Sequence, residues 1–294
     1  MQYLKKMQLH SIAFSLLALV AILFSWRVTP INQPVLLMIL VTLITVLGVP
    51  HGALDTLFAQ QHWQLSSAKN WIIFLIAYSL LAVLTVGLWL WMPMLFFVGF
   101  IVISIIHFAD DLPTGITFTS KIIYGGAIIV LPALLHQQQI TQLFTYFIAT
   151  KNANYLANSL HLLAFIWAAG AVISGFACLK ANKYASLEIL SVSLLALLAS
   201  PLIAFTIYFC AMHSMRHLLR SHLYLYTTTK TLKFAALILP TLFVFIAALM
   251  CWPSLQNQAI DIKLIQLLFV TLAALTVPHM LLLYLSGFTS WIKT

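Results

Sequence analysis

Acidic side chains are almost missing from this chain: only five of its 294 residues are Asp or Glu, and charged residues of both signs make up 6%. A soluble globular domain carries about a quarter charged residues, so a water-facing surface of ordinary composition is excluded. Cysteine is scarce as well. Cys178, Cys210 and Cys251 stand far apart within or at the ends of apolar runs, an odd number with no Cys-x-x-Cys spacing. They read as small core residues and point to neither disulfides nor zinc knuckles. Also missing are a low-complexity linker, a clear internal repeat and a soluble segment. The chain is expected to form a single membrane-embedded helical domain over residues 1–294.

What is present is apolar. Hydrophobic residues make up 63% of the chain, in runs long enough to cross a bilayer, so the expected fold class is an all-α polytopic membrane bundle. The formal charge is +9, but the basic residues are scattered singly between the runs. That pattern serves anionic lipid and orientation, and argues against nucleic acid as a partner. Lys5-Lys6 followed by the run Leu9 to Trp26 has the outline of a secretory signal. No small-residue cleavage site follows, only Arg27-Val28-Thr29-Pro30, and the run is long enough to span, so it reads as a first anchor helix.

Measured against about 20 residues per span, the candidates fall near 9–26, 35–58, 71–91, 94–110, 122–136, 155–179, 186–200, 202–220, 234–252 and 264–285. Two junctions depend on a proline, at Trp91-Met92-Pro93 and Ser200-Pro201, and each can be a hairpin or a kink. The charge distribution favours hairpins. With ten spans and a cytoplasmic N-terminus, ten of the fourteen Lys and Arg residues lie on the inner side, as the positive-inside rule requires. Both termini are then cytoplasmic.

Met212-His213-Ser214-Met215-Arg216-His217 places two histidines at i and i+4, on one helix face and about 6 Å apart. That is metal-ligand spacing, although a helix-end cap and a headgroup contact would explain a lone pair equally well. Three more histidines sit in similar settings: His51 in Gly48-Val49-Pro50-His51-Gly52-Ala53-Leu54-Asp55, His107 in His107-Phe108-Ala109-Asp110-Asp111, and His279 in Val277-Pro278-His279-Met280. All five fall on even-numbered spans, about 17–24 Å from the span starts at 1.5 Å per residue. They therefore share one layer in the cytoplasmic half. Ionisable groups at such depth mark functional sites, because an unsatisfied polar group in hydrocarbon costs several kcal/mol. His10, His62, His136, His161 and His222 lie at span ends or in loops, where water or headgroups are expected to satisfy them, and are assigned no role.

Three acids accompany these histidines. Asp55 is i+4 from His51, and Asp110 and Asp111 are i+3 and i+4 from His107. A ligating imidazole usually gives its other N–H to a carboxylate or carbonyl, so Asp55, Asp110 and Asp111 are expected either to support the histidines or to ligate directly. The bland alternative for Asp110 and Asp111 is a membrane exit paired with Arg216 or Arg220. Gly48, Pro50 and Gly52 predict a bent or closely packed helix around His51.

Imidazoles suit zinc, copper, nickel or iron. Four neutral histidines leave a divalent charge uncompensated, a centre that could retain Fe(II) and use O2. Three histidines plus Asp would favour zinc and hydrolysis of a lipid amide or ester. Bis-histidine haem fits poorly with a single layer. The clustered HxxHH patterns of membrane di-iron desaturases are absent from the sequence. Aromatic and methionine residues along the spans would suit a long apolar substrate, though bundle packing explains them as well.

GVPHGALD, HFADD, HSMRH and TVPHM, in that order, resemble the Brp/Blh family of membrane β-carotene 15,15′-dioxygenases. The resemblance runs from about His51 to His279. It implies oxidative cleavage of the central double bond of β-carotene by O2 to two molecules of all-trans-retinal, at a non-haem Fe(II), in a bacterial or archaeal cell membrane with a microbial rhodopsin as retinal acceptor; a non-catalytic carotenoid- or retinal-binding or transport protein is the alternative. It also implies that His51, His107, His213 and His217 are the metal ligands and catalytic residues. His279 matches another family motif, and its role as ligand, supporting residue or substrate contact is left open.

Overall fold

The computed structural model describes residues 2–27, 33–224 and 259–288, with five isolated positions between 238 and 246; of His51 and His222 only the backbone is described. The run 234–252, expected as a span, therefore lies largely outside the described residues. Among the described residues every regular element is helical. The chain opens with α1 (Gln2–Arg27) and α2 (Gln33–Leu43), which continues into a π-helical segment, Ile44–Gly48. Two short helices follow, α3 (Pro50–Ala53) and α4 (Asp55–Trp63), and then α5 (Ala68–Trp91), α6 (Pro93–Ala109), α7 (Phe118–Val130), α8 (Pro132–Leu135) and α9 (Gln137–Thr145). Next come α10 (Thr150–Ala181), α11 (Lys183–Leu198) and α12 (Pro201–Ile207), a second π segment, Tyr208–Ser214, then α13 (Met215–Tyr224) and finally α14 (Ile260–Leu285).

Local signals explain most boundaries. Ser67 caps α5 by accepting from the Asn70 N–H at 3.2 Å, and the Asn182 side chain caps α11 by accepting from the Tyr184 and Ala185 N–H groups at 3.1 Å. Gln64 ends α4 in the left-handed region at φ 49°. Pro93 and Pro201 each open a new helix, where the missing N–H costs nothing. α6 packs against α5, as a hairpin requires.

Among the described residues, five helices are long and apolar enough to cross a membrane: Leu4–Trp26, Ala68–Trp91, Thr150–Ala181, Pro201–Ser221 and Ile260–Leu285. Val35–Gly48, Pro93–Ala109 and Phe118–Val130 are apolar but shorter. The protein is thus an all-helical membrane protein. Within these runs, 35–58 is broken at Val49 and Leu54, close to the bend that Gly48, Pro50 and Gly52 predict, and 202–220 is wound as a π-helix through its middle. The 137–154 stretch also contains a short helix, α9, that hydropathy did not reveal.

α6 and α7 approach so closely that a Cβ at Gly125 would collide with the Ile105 carbonyl and the Ala109 backbone. This contact holds the end of α6, with His107, against the bundle. Apolar clusters lie on either side of that end. One contains Phe108, Tyr208 and Phe209, and the other Leu57, Phe58, Leu282 and Phe288.

Candidate metal centre

Four histidines from three parts of the chain meet between those clusters. His107 occupies the last turn of α6, His213 the second π segment, His217 the first turn of α13, and His279 follows Pro278 inside α14. Ring centroids are 4.5 Å apart for His107 and His213, 5.2 Å for His107 and His279, and 5.2 Å for His217 and His279. All four are buried, none more than 8% exposed. The π segment matters here because its extra residue per turn resets the helix face.

Each oriented ring is held through Nδ1. His213 Nδ1 donates to Asp111 Oδ2 at 3.0 Å, and the Tyr208 hydroxyl donates to the same oxygen at 3.0 Å. His279 Nδ1 donates to Asp55 Oδ1 at 2.7 Å, and the Tyr78 hydroxyl donates to Asp55 Oδ2 at 2.8 Å. His217 Nδ1 hydrogen-bonds with the Ser221 hydroxyl at 3.2 Å. A neutral imidazole protonated at Nδ1 presents its lone pair at Nε2. His213 Nε2 lies 3.0 Å from His107 Nε2. Two nitrogens each about 2.1 Å from one ion, at a right angle, would be about 3.0 Å apart.

The flanking rings are apolar. Phe108 meets His213 edge-on at 4.9 Å and Phe209 lies nearly parallel to it at 5.7 Å, while Phe288 and Phe58 approach His217 at 5.4 and 6.1 Å. Burial pushes the Asp111 carboxyl up, but His213, Arg216 and Arg220 outweigh it and hold the group below the usual carboxylate range.

The arginines have their own acids. Arg216 grips Glu188 with both guanidinium nitrogens, at 2.7 and 2.6 Å, and donates to the Asp111 carbonyl at 3.3 Å. Arg220 pairs with the Asp110 carboxylate at 3.3 Å. With Glu188 and Asp110 matched to arginines, Asp55 and Asp111 are the two carboxylates facing histidines. Their two negative charges suit a divalent cation among the imidazoles.

Among the residues singled out in the sequence, His107, His213, His217 and His279 are brought together, with Asp55 and Asp111 behind two of them. The His51 side chain lies outside the described residues. Its helix α3 packs against α13 and α14, and a Cβ on the neighbouring Gly52 would sit 3.9 Å from His279 Nδ1. Asp110 is turned to Arg220 and its side chain is 31% exposed, the pairing given above as the alternative to a place beside the histidines. His10 is corrected: it is not a headgroup residue but meets the Ala211 carbonyl at 2.8 Å and Arg216 at 3.2 Å. Glu188, Tyr78, Tyr208 and Ser221 were not foreseen. Glu188 did carry a signal, since a lone acid in one apolar run and a lone arginine in another are each costly until paired.

Among the described residues, no three His, Cys, Asp or Glu side chains form a group that could hold a metal ion as they stand. The fit to a metal rests instead on chemistry: an imidazole donor set, Nδ1 atoms committed to oxygen partners, a matched carboxylate charge, and one Nε2–Nε2 separation suited to two ligands of one ion.

Fold and site together define an all-helical membrane protein built around a buried histidine cluster with carboxylate support. A family model described as β-carotene 15,15′-dioxygenase matches residues 42–285. The chain is 30% identical over 252 residues to the β-carotene 15,15′-dioxygenase of uncultured marine bacterium 66A03, covering 82% of this chain and 90% of that protein. The chain belongs to the β-carotene 15,15′-dioxygenase family and is an enzyme of that family. No solved structure matches it.

Proposed function

We propose that the protein cleaves the central 15,15′ double bond of β-carotene with O2 to give two molecules of all-trans-retinal, the activity named by its family. One double bond breaks, each new aldehyde takes one oxygen atom, and no external reductant is consumed. The observation that carries this reading is the buried imidazole cluster, backed by Asp111 and Asp55, inside the matched region.

Fe(II) is the ion proposed, held by His51, His107, His213 and His217; when bound it supplies a redox-active centre for O2 chemistry. Asp111 fixes the tautomer of His213 and raises its basicity. Arg220 and Asp110 secure the turn after α6. The phenylalanines beside His213 and His217 exclude water and offer the apolar, flat surface that a polyene requires. Asp55 and Asp111 both engage Nδ1 atoms, so the three-histidine-plus-Asp zinc set of a lipid hydrolase finds less support. The surrounding proposal is a ten-span protein of a bacterial or archaeal cell membrane, with no soluble domain, cytoplasmic termini, and a microbial rhodopsin receiving the product.

Expression in cells that accumulate β-carotene tests the reading. Orange colour should fade and retinal should appear, and the purified protein should carry about one iron per chain. His51→Ala, His107→Ala, His213→Ala and His217→Ala should each abolish retinal formation, whereas His62→Ala and His222→Ala should not. An unchanged carotenoid pool, with pigment bound to the purified protein, would overturn cleavage in favour of binding or transport. Stoichiometric zinc with activity on a lipid amide or ester would establish the hydrolase instead.

A further inference from the structure

His279 stands in the same chemical setting as His213. Behind His213, the Tyr208 hydroxyl donates to Asp111 and Asp111 accepts from Nδ1. Behind His279, the Tyr78 hydroxyl donates to Asp55 and Asp55 accepts from Nδ1. The two relays come from different elements: the turn after α6 and the second π segment form one, and α4, α5 and α14 the other. Their histidines flank His107, at centroid distances of 4.5 and 5.2 Å. Burying a carboxylate is costly unless its partners compensate. An imidazole that merely touched an apolar substrate would gain nothing from such an acceptor, whereas a ligating imidazole gains orientation, a fixed tautomer and basicity.

The sequence adds an independent parallel. Val-Pro-His occurs twice, at Val49-Pro50-His51 and Val277-Pro278-His279. In both places a proline without an N–H precedes the histidine inside helical structure, and a Cβ built on Gly52, next to His51, would lie 3.9 Å from His279 Nδ1.

We propose that His279 is a metal-ligating residue of this centre, acting through Nε2, with Asp55 and Tyr78 as the positioning pair that orients it. The proposal rests on the reading that the histidine cluster holds a metal. It adds one imidazole to the four assigned above and gives Asp55 a partner in α14 in place of its near neighbour His51.

The test is optical titration of the purified full-length protein in detergent with Co(II), whose visible bands report the number and type of ligands, alongside Fe(II) content. Wild-type protein should take up one Co(II) per chain. If it takes up neither ion, the metal reading itself fails and this proposal falls with it. Given wild-type binding, His279→Ala should weaken Co(II) affinity at least 100-fold and alter the bands, and added imidazole should restore them. Asp55→Asn should weaken affinity by about 10- to 100-fold, and Tyr78→Phe by less. Wild-type affinity and spectrum in His279→Ala would overturn the proposal while leaving the metal reading intact. Should His279→Ala not be recovered folded, Asp55→Asn decides: weakened affinity supports the ligand role, and an unchanged spectrum and affinity refute it.

Discussion

Arg216 stands between the two histidines of its motif yet faces away from them, and its partners explain why. It is fully buried and grips Glu188 of α11, while its second nitrogen also reaches His10 and Ser11 of α1. Ser11 in turn donates to Glu188. Two helices, α1 and α11, are thereby tied to a residue between His213 and His217, so the ion pair sets the rotation of that helix. Removing one member of a buried pair leaves the other charge uncompensated, which costs about 3–5 kcal/mol. Glu188→Gln is therefore expected to lower the thermal midpoint of the detergent-solubilised protein sharply. Arg216→Lys should destabilise as well, because an ammonium cannot reproduce the two-pronged grip. A midpoint unchanged in both variants would show that the pair does not hold the helix. His10 was misread from sequence for a physical reason: its partners lie about 200 residues away along the chain, and its depth in α1 contains no trace of them.

The two π segments show what a helix can do beyond carrying residues at fixed intervals. They pack against each other, and Gly48 lies so close to Phe209 that a Cβ there would come within 2.5 Å of the ring. Ser214 donates to the Leu47 carbonyl at 2.7 Å and to the Gly48 carbonyl at 3.1 Å, satisfying acceptors at the end of the wider turns. One serine between His213 and His217 thus fixes the backbone that leads to His51. Gly48→Ala should cost about 1–3 kcal/mol through overpacking. Ser214→Ala should cost about 1–3 kcal/mol through unsatisfied buried carbonyls. Both should lower metal affinity in proportion to lost activity, since the spacing between histidine motifs is disturbed. Full affinity with reduced activity in either variant would instead place the effect on substrate binding. Glycine and proline around His51 made a bend legible, but hydropathy does not distinguish a π turn from an α turn.

At the scale of the whole molecule, the apolar helices and the proposed inner placement of the basic residues lead to an arrangement that can be tested directly. Among the described residues, none of α5 is fully buried, as befits a helix with one face to lipid and another, with Tyr78, turned to Asp55. Reporter fusions at Thr294 and in the 137–154 stretch should give opposite sidedness. The same side for both would break the ten-span topology and remove the shared depth from which the histidines were first selected. The proline breaks at 93 and 201 are starts of new helices, so neighbouring basic segments can return to one face.

Composition and residue spacing by themselves determined the membrane class, the helical fold and the histidines worth pursuing, because hydrocarbon penalises every unsatisfied polar group and leaves few in place. The order of the four histidine motifs carried the family. Which carboxylate serves which histidine was decided only by tertiary structure. Asp55 and His51 are four residues apart, yet Asp55 binds His279, 224 positions away. Asp110 and Asp111 are adjacent, yet one turns to Arg220 and the other to His213. Spacing along a chain constrains only neighbours on one helix; the meeting of α4 with α14, and of α6 with the second π segment, depends on packing between helices, and that packing alone assigns the charges.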